Sequence, residues 1–82
     1  MRMGKVVGNV VSTRKNEKLV GSTILEIRLM ENGKETDSYI IAIDSLGAGI
    51  GETVLVTMGS SARLALPNKE APTDAVVVGI VD

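Results

Sequence analysis

The chain contains no cysteine and no histidine, and Tyr39 is its only aromatic residue. Without cysteine there are no disulfides, no thiolate metal ligands and no thiol nucleophile. Without histidine the commonest transition-metal ligand and the usual general base are gone as well. Neither sign of charge is in excess: nine basic and ten acidic residues leave a net charge of -1, with no block of like charge. Such a balance provides no counterion-release drive toward nucleic acid or an anionic membrane, so neither is expected as a partner. No apolar run approaches the roughly 20 residues that cross a bilayer as a helix. The first residues reach Gly4 and Lys5 before any apolar run forms, unlike a signal peptide. The expectation is a soluble cytoplasmic protein.

Size adds a constraint. A chain of 82 residues has room for one domain, residues 1–82. A domain this small buries only about 60% of the surface its unfolded chain exposes, and it commonly needs disulfides, a metal or oligomerisation to be stable. Composition removes disulfides and the common transition-metal sites, which leaves oligomerisation as the addition still standing. Hydrophobic residues make up 44% of the chain, so the core must be built almost wholly from aliphatic side chains.

What is present is strand-forming. Residues 3–13 are rich in valine, with Gly8 marking a bulge or sharp bend. Arg14 to Lys18 form a charged connecting loop. From Thr23 to Met30, Leu25, Ile27 and Leu29 alternate with Glu26 and Arg28, the period of a half-buried strand. Asn32-Gly33 then predicts a type I′ hairpin turn, both of whose central residues need positive φ. Glu35 to Ser38 either lengthen that loop or begin the return strand. Tyr39 to Ile43 is apolar at consecutive positions, which predicts a strand covered on both faces. Thr53 to Met58 predicts a fourth strand, and Ala75 to Val81 a β-branched fifth, held in a sheet or against a neighbouring subunit. Between these two, the serines of Gly59 to Arg63 predict one capped helical or 3₁₀ turn. The connector from Leu64 to Pro72 carries two prolines unsuited to a central strand. Five short strands with glycines inside them and no sustained 3.6-residue period predict an all-β fold, a small OB-like Greek-key barrel.

The stretch Asp44 to Glu52 has glycines at 47, 49 and 51. A dinucleotide fingerprint requires G-x-G-x-x-G leading into a helix, whereas here the third glycine comes one position early and a strand follows. A Walker loop would need a Gly-Lys-Ser/Thr sequence, which is missing. Asp44 and Glu52 are acid–base candidates in principle. With no histidine or cysteine to complete a site, they read as turn-bonding residues at strand ends. Ser60 and Ser61 have no visible base. An OB-like barrel also raises single-stranded nucleic-acid binding, but that function stacks bases on aromatic side chains within a basic groove. One tyrosine and a slight negative charge do not supply this. A small-ligand binding module of the same fold is the other open alternative.

Read together, these segments carry a more specific pattern. Gly4-Lys5-Val6-Val7-Gly8 with Val10-Val11 and Thr13-Arg14-Lys15 is followed by Leu19-x-Gly21, the Ala42-to-Glu52 stretch and Val54-Leu55-Val56. Gly59-Ser60-Ser61-Ala62-Arg63, Asp74-Ala75 and Val78 to Asp82 complete it. In this order they resemble the EutN/CcmL family, the vertex proteins of bacterial microcompartment and carboxysome shells. The resemblance runs nearly end to end and is weakest over residues 23–38. It implies a β-barrel protomer that assembles into a homopentameric ring and caps the vertices of a polyhedral shell with hexameric facet proteins. It implies a structural protein and not an enzyme, with no cofactor and no bound metal. The compartment it implies is a carboxysome or an ethanolamine-, propanediol- or glycyl-radical-type shell. For such a ring, Asp44, Gly47, Ala48, Gly49, Ile50, Gly51, Glu52, Ser60, Ser61 and Arg63 are the candidates for subunit contacts or for lining the five-fold axis. Glycine density, permitting close backbone approach, and the hydrogen-bonding capacity of Arg63 motivate that choice.

Overall fold

Alternating apolar positions along five segments close the chain on itself. In the computed structural model, which describes residues 1–11, 16–19, 21–66 and 72–82, the strands are β1 (Arg2–Val10), β2 (Thr23–Glu31), β3 (Lys34–Asp44), β4 (Thr53–Met58) and β5 (Ala75–Val81). They form a closed barrel in the order β1-β2-β3-β5-β4. Every pairing is antiparallel except β3 with β5, which meet in parallel at Ile43 and Val76. The expected OB-like barrel is the one observed. Closure matters for so small a chain, because it removes most of the exposed sheet edge.

The barrel interior is aliphatic, as the composition requires. Val6, Leu25, Ile27, Ala42, Val54, Val56, Ala75 and Val77 form one buried cluster. Full burial of a Val, Leu or Ile side chain is worth about 1.5–3 kcal/mol, so these residues supply most of the drive to fold. A second buried cluster lies on the outside of the sheet, where Ile43 and Val76 are covered by Ala62 and Leu66, with Leu19 and Ile24 against them. Ala62 opens a short 3₁₀ turn, Ala62–Ala65, with Leu66 just beyond it, and Leu19 closes another, Glu17–Leu19.

Several expectations meet the structure at particular residues. The bulge predicted at Gly8 is there: the β1–β2 register shifts between Val6 and Gly8. Asn32 and Gly33 take φ of 52° and 77°, as the hairpin turn demands. The return strand begins at Lys34, so Glu35 to Ser38 belong to β3. Thr36 secures that start, its hydroxyl donating to the Leu29 carbonyl at 2.9 Å. The two-face burial expected of Tyr39–Ile43 holds only at its end: Ala42 and Ile43 are buried, whereas Tyr39 and Ile41 are half exposed. The second cluster reaches as far as Ile43 and no further along β3. The 3₁₀ turn after Gly59 is present, but Ser61 makes no side-chain capping bond. Gly59 shapes the turn instead, at φ 99°, its carbonyl accepting from the Ala62 N–H at 3.0 Å. The expected loop residues Arg14 and Lys15, and the 67–71 part of the proline connector, lie outside the described residues.

Candidate functional site

The β3–β4 connection, Ser45 to Glu52, is pinned at both ends by carboxylates. Asp44 is the last residue of β3, and its side chain is buried. A buried carboxylate carries a large desolvation cost unless hydrogen bonds replace its water. Here three backbone donors do so. The Leu46 N–H donates to Oδ1 at 2.9 Å, while the Gly47 and Ala48 N–H groups donate to Oδ2 at 3.0 and 2.8 Å. Charge-assisted bonds of this kind are about twice as strong as neutral ones. At the far end Glu52 Oε1 accepts from the Gly49 N–H at 2.6 Å, and the Glu52 N–H donates to the Gly49 carbonyl at 3.1 Å.

The loop is also tied back to the barrel. Gly51 donates to the Val6 carbonyl at 2.8 Å and Val6 donates to the Glu52 carbonyl at 2.9 Å, extending the β1–β4 pairing past Thr53. Ala48 packs against the interior cluster. Two of the loop's outward side chains are apolar, Leu46 at 51% exposed and Ile50 at 63%, beside exposed Ser45 and Glu52.

The glycines of this loop serve backbone angle more than close approach. Gly47 and Gly51 adopt φ of 87° and 91°, and a Cβ at either would meet nothing within 4 Å of its own chain. Gly49 has no such angle, and its Cβ would lie 3.3 Å from Glu52 Oε1. Within the single chain these glycines thus answer to backbone angle and, at Gly49, to the Glu52 side chain. The tightest glycine is Gly4, where a Cβ would stand 2.4 Å from Ile27 Cγ2 and 3.0 Å from the Arg28 carbonyl oxygen.

The second candidate segment, Ser60 to Arg63, also spends its polar groups locally. Arg63 donates through its guanidinium to the Ser60 carbonyl, and both serines are exposed. No hydrogen bond among the described residues joins this turn to the Asp44–Glu52 loop. The two segments approach through the outer apolar cluster, where Ala62 and Leu66 cover Ile43, the residue before Asp44. Leu46 was not among the sequence-derived candidates. The available signal was an apolar side chain at a turn position between two strands. No cluster of three or more Asp, Glu, His or Cys suited to a metal occurs among the described residues.

A closed five-stranded barrel in this order, with a carboxylate-pinned loop joining β3 to β4, defines an OB-like barrel protein of minimal size. Comparison with known proteins narrows the class. The chain belongs to the family described as ethanolamine utilisation protein EutN/carboxysome, whose model matches residues 1–82. It is 48% identical over 83 residues to the bacterial microcompartment shell vertex protein GrpN of Rhodospirillum rubrum, covering 100% of this chain and 93% of the relative. To the carboxysome shell vertex protein CcmL of a Synechocystis strain it is 43% identical over 83 residues, covering 100% and 83%. The solved structure of the GrpN pentameric microcompartment shell protein from Rhodospirillum rubrum superposes with a TM-score of 0.88 at 44% identity, covering 100% of this chain and 94% of that one.

Proposed function

We propose that this chain is a structural shell protein that forms homopentamers and caps the vertices of a polyhedral bacterial microcompartment in the cytoplasm. The observation that carries the reading is the end-to-end match, in sequence and in fold, to a relative described as a pentameric microcompartment shell protein. The hexameric facet proteins of the shell are its neighbours in this reading, and it catalyses no reaction. Its composition supports that last point, since neither histidine nor cysteine is available for acid–base, nucleophilic or thiolate chemistry. The small aliphatic core supports assembly, because a ring would cover apolar surface the single chain leaves exposed.

Within the ring, the 44–52 loop and the 60–63 turn contribute to subunit contacts or lie near the axis. Their polar groups act by shaping the backbone, and Leu46 and Ile50 are the apolar side chains the loop exposes. Native mass spectrometry tests the reading directly. Five copies of 8.6 kDa, about 43 kDa, are expected. A mass of one chain at micromolar concentration would overturn it.

A further inference from the structure

In a closed ring each subunit uses two different patches, one for each neighbour. Besides exposed apolar side chains of the connections such as Val11, Leu46, Ile50 and Leu64, the strands carry two apolar areas that run across paired positions. The first is on β3, where Tyr39 and Ile41 share the outer face and are 50% and 52% exposed. They stand opposite Arg28 and Glu26 of β2. Only Ile43 of β3 is registered with β5, so among the described residues no strand pairs the edge of residues 35–41 that faces away from β2. An unpaired edge strand without proline and with apolar side chains on its face is one that proteins blunt or cover.

The second area runs across the outer face of the other strands. Met3 is registered with Met30 on one side and Leu55 on the other, and Leu55 with Gly79. Gly79 leaves a gap in this row, and a Cβ there would already touch Leu55 Cδ1 at 3.5 Å. Val81 follows on the same face, and both it and Met3 are 38% exposed. In the barrel order β4 lies across from the β2–β3 boundary, so the two areas occupy different sides. Charged residues lie beside both: Glu26 is opposite Ile41, while Lys5 stands two positions from Met3 and opposite Arg28, and Asp82 follows Val81.

We infer that the boundary between neighbouring copies is formed by the outer face and free edge of β3 on one copy against the Met3–Leu55–Val81 row on the next. The inference rests on the ring proposed above and adds which surfaces meet.

The absence of native cysteine makes the test clean. Within one chain, Ile41 faces Glu26 and Met3 faces Met30. Those β2 positions lie four residues apart, ~13 Å at ~3.3 Å per residue. A disulfide needs Cα atoms within about 7 Å, so any bond formed joins two copies. The Met3→Cys, Ile41→Cys double variant, oxidised or treated with a short bis-maleimide, is expected to give covalent species up to five chains on a denaturing gel. Each single variant is expected to stay at one chain, since identical positions do not meet in a head-to-tail ring. Dimers from Ile41→Cys alone would overturn the pairing. A native mass of about 43 kDa, five times 8.6 kDa, with no cross-links would overturn this interface while leaving the pentamer standing. A one-chain native mass for the unsubstituted protein would overturn the ring itself. Ile41→Asp is expected to give monomers that keep a β-type circular dichroism spectrum, and an unaltered pentamer would count against the placement.

Discussion

Asp44 Oδ2 accepts the Ala48 backbone N–H at 2.8 Å, which links the last residue of β3 to the residue that seats the following loop on the barrel interior. One buried carboxylate thus sets the path of the loop and closes part of the core. Asp44→Asn keeps the shape of the side chain but puts an NH₂ group against at least one of three N–H donors. A loss of about 1–3 kcal/mol is expected, the range for leaving a buried donor unsatisfied. Urea denaturation at fixed protein concentration measures it, because assembly would otherwise move the midpoint. A midpoint unchanged from wild type would contradict the anchoring role.

The loop glycines are predicted to separate by backbone angle. Gly51→Ala forces an L-residue to φ 91° and is expected to destabilise by about 1–2 kcal/mol. Gly49→Ala needs no left-handed backbone and asks only that the Glu52 side chain shift by a few tenths of an ångström. Its thermal midpoint is expected to lie much nearer wild type. Gly49→Val is more crowded against Glu52, and its effect is expected chiefly on pentamer formation, read by native mass spectrometry. Equal losses for Gly51→Ala and Gly49→Ala would remove the angular explanation.

Gly4→Ala is expected to be the costliest single methyl addition in the chain. Its Cβ would overlap Ile27 Cγ2, a fully buried group, and crowd the Arg28 carbonyl. Overpacking of this kind costs about 1–3 kcal/mol. Leucine has no Cγ2, so adding Ile27→Leu should recover part of the loss and leave the backbone contact. A double-mutant cycle by chemical denaturation reads the coupling, and strict additivity would show that the two residues do not meet.

At the β2–β3 hairpin, Asn32 holds a positive φ of 52°. Asn32→Val places a β-branched residue in that region and is expected to cost about 1–3 kcal/mol. Asn32→Gly is expected to cost much less. Hydrogen exchange of the Lys34 to Tyr39 amides should report the same order, since these residues follow the turn in β3. Faster exchange in Asn32→Gly than in Asn32→Val would reject the assignment.

Most of the strand spans were legible in the residues alone, because alternation reports which face of a pleat is buried regardless of what covers it. Asn32-Gly33 announced its turn and Gly8 its bulge for the same local reason: a backbone angle or an extra residue is a property of one position. The family was readable because its residues recur in order along the chain. The other features were not legible there, since each is a relation between positions distant along the chain. Only folding brings Gly4 onto Ile27, wraps Ala62 and Leu66 over Ile43, and leaves Tyr39 and Ile41 uncovered beside them. Only folding buries the Asp44 carboxylate and turns a glycine-rich stretch that scans like a phosphate loop into a scaffold held by its own acids. At Ile41 and Asp44 burial depends on what the closed barrel places around the residue, which alternation does not report.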